Sequence, residues 1–303
     1  MACPYCIDVH YSPSYLPSTK FNNKLFHYLK CSNCDVVYIS PFPDANDYIK
    51  MYPPGYQSGV DKTILKNKYK KLPGLRFSYG VQFDLILKHA IKNPKILDYG
   101  CGNANFLINA CNNNFQCDGV EFSEEHVEIL KSEIPSSKFY IITNFIKNSD
   151  DKYDVIRLSN VLEHMDNPNE IIQSLIMKLN KNGMLLIEGP IECNFSLAFL
   201  SRKLYFKFMN LIRKGYVANH VPTHITFTNA KNQLSFFQKF GLTTLEYKII
   251  EAEWPYPENF SDVKSLGAFS KWVIAKKSKL ISHFVKNWGN TFIYIGKNNS
   301  DLV

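Results

Sequence analysis

The sequence predicts an α/β protein, with a doubly wound, mostly parallel seven-stranded sheet and a small N-terminal cysteine-knuckle module. Three observations predict it. From residue 95 onwards, short β-branched runs alternate with amphipathic helices, which is typical of a parallel sheet covered on both faces. A glycine-rich turn follows the first of these runs, and two Cys-x-x-Cys pairs lie near the N-terminus.

The composition is that of a globular chain. The chain has 303 residues, of which 45% are hydrophobic, enough for one large domain with one or two smaller pieces. No apolar run approaches the roughly 20 residues that cross a bilayer, and no secretion signal is recognisable, so we expect a cytoplasmic protein. The net charge of +8 favours an anionic partner, although abundant Lys and Asn weaken that inference.

The N-terminal region carries the first predicted elements. Strands are predicted around 24–29 and at 36–40, and Pro41 and Pro43 end the second strand. We predict a zinc-binding module over residues 1–43. The predicted connecting arm, 44–76, is rich in Tyr, Pro and Gly and ends in a basic stretch, and we expect its aromatic side chains to pack on the next domain.

The main domain is predicted to span 77–303, with an insertion at 191–228. It opens with a helix from about residue 77. The predicted strands are 95–99, 116–121, 138–142, 153–159, 183–189, 243–250 and 291–296. The later predicted helices are 104–113, 123–133, 167–180, 229–240 and 270–286. The final strands suit an antiparallel hairpin at the edge of the sheet.

The turn after the first strand of this domain predicts a nucleoside site. Ligands of doubly wound sheets bind at the carboxyl ends of the strands, and Gly100 and Gly102 allow the backbone after Asp98 to approach a ligand closely. Glu121 ends the next strand, at the separation of roughly 20 residues expected for an acid that accepts both ribose hydroxyls. A dinucleotide fingerprint would need a glycine where Asn105 stands.

The segment "DYGCGNA" resembles motif I of class I S-adenosylmethionine-dependent methyltransferases, with Ala104 where the family often has a third glycine. "YDVIRLSNVLEHMDNP" and "LNKNGMLLIEGP" resemble the motifs of its fourth and fifth strands. The resemblance implies a Rossmann-like methyltransferase fold that binds S-adenosylmethionine. Cys101 is interpreted as a small residue in a crowded loop. The implied cofactor contacts are the loop residues Asp98, Gly100 and Gly102, the ribose acid Glu121, Asn144 near the adenine, and Ser159 and Asn160 near the methionine part.

The eight cysteines fall into two groups. Four have the spacing of a closed, tetrahedral, structural zinc site, and they are Cys3, Cys6, Cys31 and Cys34. The other four are interpreted as small buried hydrophobic residues, and they are Cys101, Cys111, Cys117 and Cys193. A zinc module followed by "YISPFP" and "MYPPGYQ" resembles a group of bacterial methyltransferases associated with sugars and surface polysaccharides, including sugar C-methyltransferases and O-methyltransferases.

Two histidines are candidates for the catalytic base, because imidazole titrates near neutral pH. His224 lies in a segment that faces the acceptor in similar enzymes, and His164 follows the fourth strand. The alternative, that each histidine only hydrogen-bonds a loop, stays open. The basic and aromatic insertion is interpreted either as a cap helix with a solvated face or as a lid that holds an anionic acceptor or touches a membrane.

The predicted function is methyl transfer from S-adenosylmethionine to a sugar or sugar-derived acceptor, which can be nucleotide- or phosphate-linked, at oxygen, in surface polysaccharide biosynthesis. The alternatives are sugar C-methylation, RNA methylation and a non-enzymatic binding protein. The knuckles lack neighbouring Arg and Lys clusters, which argues against nucleic acid. The intact glycine loop argues against a non-enzymatic protein. Neither the acceptor nor the oligomeric state follows from the sequence.

Overall fold

The computed structural model describes residues 2–53, 56, 66–70, 72, 77–252, 256–257 and 259–299. In the basic stretch of the predicted arm, residues 62–65 and 71 lie outside the described residues. The strands are β1 (Tyr11–Pro13), β2 (Thr19–Phe21), β3 (Lys24–Cys31), β4 (Val37–Ser40), β5 (Lys95–Tyr99), β6 (Gln116–Glu121), β7 (Phe139–Ile141), β8 (Tyr153–Ser159), β9 (Leu179–Pro190), β10 (Thr226–Phe227), β11 (Thr243–Ile250) and β12 (Thr291–Lys297). The helices are α1 (Ala45–Met51), α2 (Tyr79–His89), α3 (Asn105–Asn112), α4 (Glu124–Glu133), α5 (Ile142–Asn148), α6 (Pro168–Met177), α7 (Leu197–Ile212), α8 (Ala230–Gln238) and α9 (Leu266–Ser282).

The main sheet has seven strands in the order β11-β12-β9-β8-β5-β6-β7. The five strands from β9 to β7 are parallel, whereas β12 runs antiparallel to both β9 and β11. The predicted fold class is therefore confirmed, including the antiparallel hairpin at the edge. The chain reverses its winding direction at β5, so the turns after β5 and β8 open side by side at the carboxyl edge.

Both faces of the sheet are covered, because the central strands carry apolar side chains on alternate sides. Ile96, Val155 and Leu186 point to a core formed with helices α2, α3 and α4. Leu97 and Ile156 point to the other core, formed with α5, α6 and α8. Nearly continuous apolar strands are what a sheet buried on two sides requires, which explains why these strands were predictable.

A second, smaller sheet is built by the N-terminal region together with a later segment. Strands β1, β3, β4 and β10 pair in that order, and β2 pairs with β3. In β10, Thr226 and Phe227 lie opposite Tyr38 and Val37 of β4. Residues from the predicted insertion thus complete the N-terminal sheet. The domain limits 1–43, 44–76 and 77–303 stay a prediction.

The N-terminal module also packs on the main sheet. The rings of Tyr5 and Phe236 are 4.3 Å apart, and the Tyr5 hydroxyl donates to the Gln233 side chain. Asn232 of α8 donates to the backbone oxygen of Cys34. The cysteine-bearing turns are therefore fixed on helix α8.

Several sequence-based boundaries are wrong, and one helix was not predicted. The helix predicted over 167–180 ends at Met177, because Leu179 joins β9, and Asn182 adopts a left-handed conformation with φ of 62° where the bend before Gly183 requires it. Helix α5 was not predicted, since its sequence "ITNFIKN" is short and partly β-branched. Helix α9 starts at Leu266, ahead of the predicted residue 270.

The predicted insertion forms helix α7, which packs against α9. Ser196 caps α7 by accepting from the backbone N–H of Phe199, and Ser265 caps α9 in the same way through Ala268. None of the helices in the described ranges is both long and apolar enough to cross a membrane.

Candidate active site

The loop after β5 has the backbone geometry that only glycine adopts readily. Gly100 and Gly102 have φ values of +80° and +53°, in the left-handed region that side chains disfavour. A Cβ on Gly100 would lie 2.5 Å from Cγ2 of Val161. The loop is held to the neighbouring strand, because the N–H groups of Gly100 and Cys101 both donate to the Val120 oxygen.

Glu121 ends β6 and is tied to the same loop. Its carboxylate accepts one backbone N–H from Gly102 and another from Phe122, each at 2.8 Å. His126 contacts the Gly102 oxygen through Nε2 at 2.8 Å. The acid and the glycine turn thus form one rigid unit at the carboxyl edge of the sheet.

A buried charged network lies next to this loop. Arg157 is paired with Asp98 across β8 and β5 and donates to the Asp98 carboxylate at 2.6 Å. It also donates to Gln82 at 2.6 Å, and Gln82 donates to Glu188 at 3.3 Å. Ser159 donates to the same Glu188 oxygen. Burial raises the pKa of Asp98, and the neighbouring Arg157 opposes that shift.

A second cluster stands at the carboxyl ends of β8 and β9. Glu163 and His164 lie in a 3-10 turn just after β8, and His224 lies just before β10. The rings of His164 and His224 are 4.9 Å apart, edge to face. The nearest nitrogen and oxygen of the buried Glu163 and of His164 are 3.8 Å apart. Their ligand atoms and that of His224 lie within 4.8 Å of one another, so the three residues could hold a metal ion.

Both histidines are oriented through Nδ1. His164 Nδ1 is 2.7 Å from the Thr223 carbonyl oxygen, so this nitrogen carries the proton, and it also contacts the Tyr52 hydroxyl at 3.0 Å. His224 Nδ1 is 2.9 Å from the Glu192 carboxylate. Burial lowers the pKa of His164, which favours the neutral ring. In each ring Nε2 is left as the basic nitrogen.

Arg202 connects the second cluster to helix α7. Its guanidinium contacts Glu192 through a side-chain oxygen at 3.4 Å and through the backbone oxygen, and it donates to Tyr15 at 3.2 Å. Glu192 is therefore held between Arg202 and His224, and a carboxylate held in this way fixes the tautomer and direction of the imidazole.

The four N-terminal cysteines converge as predicted. Cys3 and Cys34 have their sulfur atoms 3.5 Å apart, and Cys6 and Cys31 are 3.4 Å apart. All four sulfur atoms lie within 4.8 Å of one another and none forms a disulfide. Tetrahedral ligands with bonds of about 2.3 Å to zinc stand at such separations. The donor set therefore fits a closed zinc site.

A protein-family comparison decides the class. A family model described as "Methyltransferase domain" matches residues 75–247, more than half of the chain. The chain belongs to this methyltransferase family. It is an S-adenosylmethionine-dependent methyltransferase with the class I fold.

Individual relatives of this methyltransferase are distant. The ubiquinone biosynthesis O-methyltransferase of Pelagibacter ubique (strain HTCC1062) is 21% identical over 170 residues, 54% of this chain and 70% of the relative. The protein of the same name from Rickettsia bellii (strain OSU 85-389) is 21% identical over 201 residues, 64% of this chain and 75% of the relative. A solved SAM-dependent methyltransferase from Archaeoglobus fulgidus matches with a TM-score of 0.41 and 15% identity over 72% of this chain and 92% of that chain.

The two acids beside the glycine loop, Asp98 and Glu121, fit S-adenosylmethionine. The Oδ2 atom of Asp98 is buried and has no hydrogen-bond partner among the described residues. A ligand at the loop could donate a hydrogen bond to this buried oxygen. Glu121 keeps lone pairs for hydroxyl donors beyond its two backbone bonds. A cationic, hydroxyl-bearing molecule suits both acids.

The remaining predicted cofactor residues differ in how they are placed. Ser159 and Asn160 stand beside the loop at the end of β8, and the Asn160 side chain contacts Ser159. Asn144 lies in the first turn of α5 and is exposed, so its role at the adenine stays a prediction.

Cys101 is buried, and burial raises the pKa of its thiol, which agrees with a packing role. Of the other scattered cysteines, Cys117 is buried, while Cys111 and Cys193 are only half-buried.

Several polar residues of the site were not predicted from the sequence. They are Gln82, Arg157, Glu163, Glu188 and Glu192. Arg157 and Glu188 interrupt apolar strands, and a charge inside a buried strand requires a partner on a neighbouring strand. That signal could have predicted the pair with Asp98. Glu192 carried no such signal, because it stands in a loop.

We expect Arg157→Met to destabilise the enzyme by about 3 to 5 kcal/mol, because removal of one partner leaves buried carboxylates without their counter-charge. Urea unfolding followed by circular dichroism measures this. Lys131→Met is the control, since Lys131 pairs with Glu128 on the surface of α4 and should cost under about 1 kcal/mol. Equal losses for the two variants would contradict the assigned role of Arg157.

Proposed function

We propose that this methyltransferase methylates a hydroxyl group of a sugar or sugar-derived acceptor, and that His224 is the base. The observation that carries the proposal is the pair formed by His224 and Glu192 at the carboxyl edge of the sheet. When bound, S-adenosylmethionine supplies a reactive methyl group, so alignment and removal of the hydroxyl proton remain for the protein. Methylation at oxygen is supported by the names of the relatives from Pelagibacter and Rickettsia.

The residues have separate tasks in this proposal. His224 Nε2 accepts the proton that the hydroxyl loses, while Glu192 stabilises the imidazolium that results. His164, neutral and held by Thr223 and Tyr52, faces the same space and can hydrogen-bond the acceptor. Asp98, Glu121 and the two loop glycines hold the cofactor.

A structural zinc ion bound by the four cysteines is also part of the proposal. The module they stabilise pairs with β10, two residues beyond His224. We propose the cytoplasm as the compartment, where such thiols stay reduced and available as ligands. The acceptor is anticipated to be a small molecule or glycan intermediate, and surface polysaccharide biosynthesis is the pathway class that it would serve.

We expect His224→Asn to lower kcat by about a hundredfold or more, because a positioned general base contributes at least that factor. His164→Asn should have a smaller effect, and His10→Asn, on an exposed loop, should have none. The assay is transfer of labelled methyl from S-adenosylmethionine to a panel of nucleotide sugars and phenols. An unaffected His224→Asn enzyme would contradict the base assignment.

The same assay distinguishes the alternatives. A base mechanism predicts that activity is independent of added Mg²⁺ or Mn²⁺, whereas a metal ion held by Glu163, His164 and His224 would make activity rise with the added ion. A product methylated at carbon, identified by NMR, would favour the C-methyltransferase alternative. Phenols accepted in preference to every sugar would overturn the sugar proposal but leave O-methylation intact.

A further inference from the structure

Helix α7 exposes an unusual amount of apolar surface. None of its residues is buried, and Leu204, Phe208 and Leu211 are 67%, 58% and 82% exposed. These three residues follow each other at intervals of four and three, so they form one stripe along the helix. Lys203 and Lys207 each precede a stripe residue and flank the stripe on one side.

Helix α9, which packs against α7, repeats this composition. Leu266 is 89% exposed at its start, and Leu280 is 62% exposed near its end. Phe284, just beyond the helix, is 80% exposed. Lys277 lies three residues before Leu280 and therefore on the same side of the helix. We call the two segments 197–221 and 263–290, which contain α7 and α9 and the residues that flank them, the helical pair.

The positive charge of the chain is concentrated in the helical pair. Its two segments hold five and six Lys and Arg residues and no Asp or Glu. The chain has 35 Lys and Arg against 27 Asp and Glu, so the remaining residues hold 24 cations against 27 carboxylates. The helical pair therefore carries a charge of +11, while the rest of the chain, which includes the basic stretch of the arm, has a net charge of −3.

We propose that the helical pair docks this enzyme on the surface of a membrane that contains anionic phospholipids. Apolar side chains flanked by lysines are the composition of helices that lie in the bilayer interface, where leucine and phenylalanine enter the acyl boundary and ammonium groups bind phosphates. Each basic residue near an anionic leaflet adds electrostatic attraction. No spanning helix is required, which agrees with the described helices.

Two other occupants suit the surface less well. A second copy would place like charges face to face in a symmetric contact, with no carboxylate in either segment to pair with them. Nucleic acid would be bound by the cations and aromatic rings alone. Leu204, Leu211 and Leu280 would then stay exposed to water, whereas an acyl layer buries them.

Docking would place the second cluster close to the membrane. Arg202, in the second turn of α7, contacts Glu192, and Glu192 contacts His224. The base is therefore one side chain away from α7, and the apolar stripe lies on the opposite side of that helix, about 10 Å further out. The docking inference itself does not depend on which acceptor is methylated.

The test is co-sedimentation of the full chain with phosphatidylcholine vesicles, with and without about one third phosphatidylglycerol. We expect binding to the anionic vesicles only. The double variant Leu204→Glu/Leu211→Glu should bind about tenfold more weakly or worse. Ile91→Glu, which replaces another exposed aliphatic residue (57%) outside the pair, should bind like the wild type. Circular dichroism melting checks that each variant is folded.

Three outcomes overturn the proposal. Binding that is absent in the wild type, or equal for the double variant and the wild type, excludes this surface as the docking site. A dimer in light scattering that the double variant dissolves would assign the surface to self-association. Tight, salt-sensitive RNA binding that competes fully with vesicles would assign it to nucleic acid. A failed methyl-transfer assay leaves the docking result unaffected.

Discussion

Cys31→Ser will release the zinc ion that we propose and unfold the N-terminal sheet. Cys31 is fully buried at the end of β3, and a structural zinc site contributes on the order of 10 kcal/mol to a small module. We expect about one zinc ion per chain in the wild type and almost none in the variant, measured by elemental analysis. Hydrogen exchange should show lost protection in β3 and β4.

The same experiment reports on the active site. Because β10 pairs with β4, unfolding of the N-terminal sheet should also release the segment that carries His224, and methyl transfer should fall with it. Cys111→Ser is the control, since Cys111 lies in α3, outside the four-cysteine cluster. A Cys31→Ser protein that retains its zinc and its exchange protection would overturn the zinc assignment.

Glu121→Ala will weaken the binding of S-adenosylmethionine by about a hundredfold. A hydrogen bond to a charged group is worth about 1.5 to 3 kcal/mol, and Glu121 is placed to accept more than one. The alanine also removes the acceptor that fixes the Gly102 N–H. Isothermal titration calorimetry measures the affinity directly, without any knowledge of the acceptor.

Two variants sharpen that result. Glu121→Gln keeps the shape and one acceptor oxygen, so its affinity should lie between those of the wild type and the alanine variant. Glu125→Ala removes an exposed acid four residues further along the chain, in α4, and should bind the cofactor normally. Unchanged affinity in Glu121→Ala would sink the assignment of the cofactor site.

The central strands were predictable because their burial leaves few alternatives. The bounds predicted for β5, β6 and β8 agree with the structure to the residue, since each is a short buried run that ends at or just before a Gly, Asn or acidic residue. The bounds of β11 also agree, although β11 is an edge strand with no buried residue. Leu179 fits the period of a helix as well as that of a strand, so the end of α6 was placed too late. Propensity alone could not resolve it.

The positions of the predicted cofactor residues could be derived from the sequence, whereas the contacts of the predicted base could not, and the roles of both sets stay predictions. Asp98 and Glu121 stand at strand ends whose position follows from the winding of the sheet. The partners of His224 could not be found in that way, because Glu192 and Arg202 meet it through loop and helix positions that no sequence period links. The contact of Tyr52 with His164 likewise joins segments far apart in the chain.

The pairing of β4 with β10 has a consequence for synthesis on the ribosome. The N-terminal strands and the four proposed zinc ligands are translated before β10, and the edge of β4 stays unpaired until Phe227 has been translated. An open strand edge is a template for pairing with other chains. A zinc ion bound early would hold the nascent segment compact over that interval. The proposed ion would therefore limit aggregation during synthesis, before the enzyme is complete.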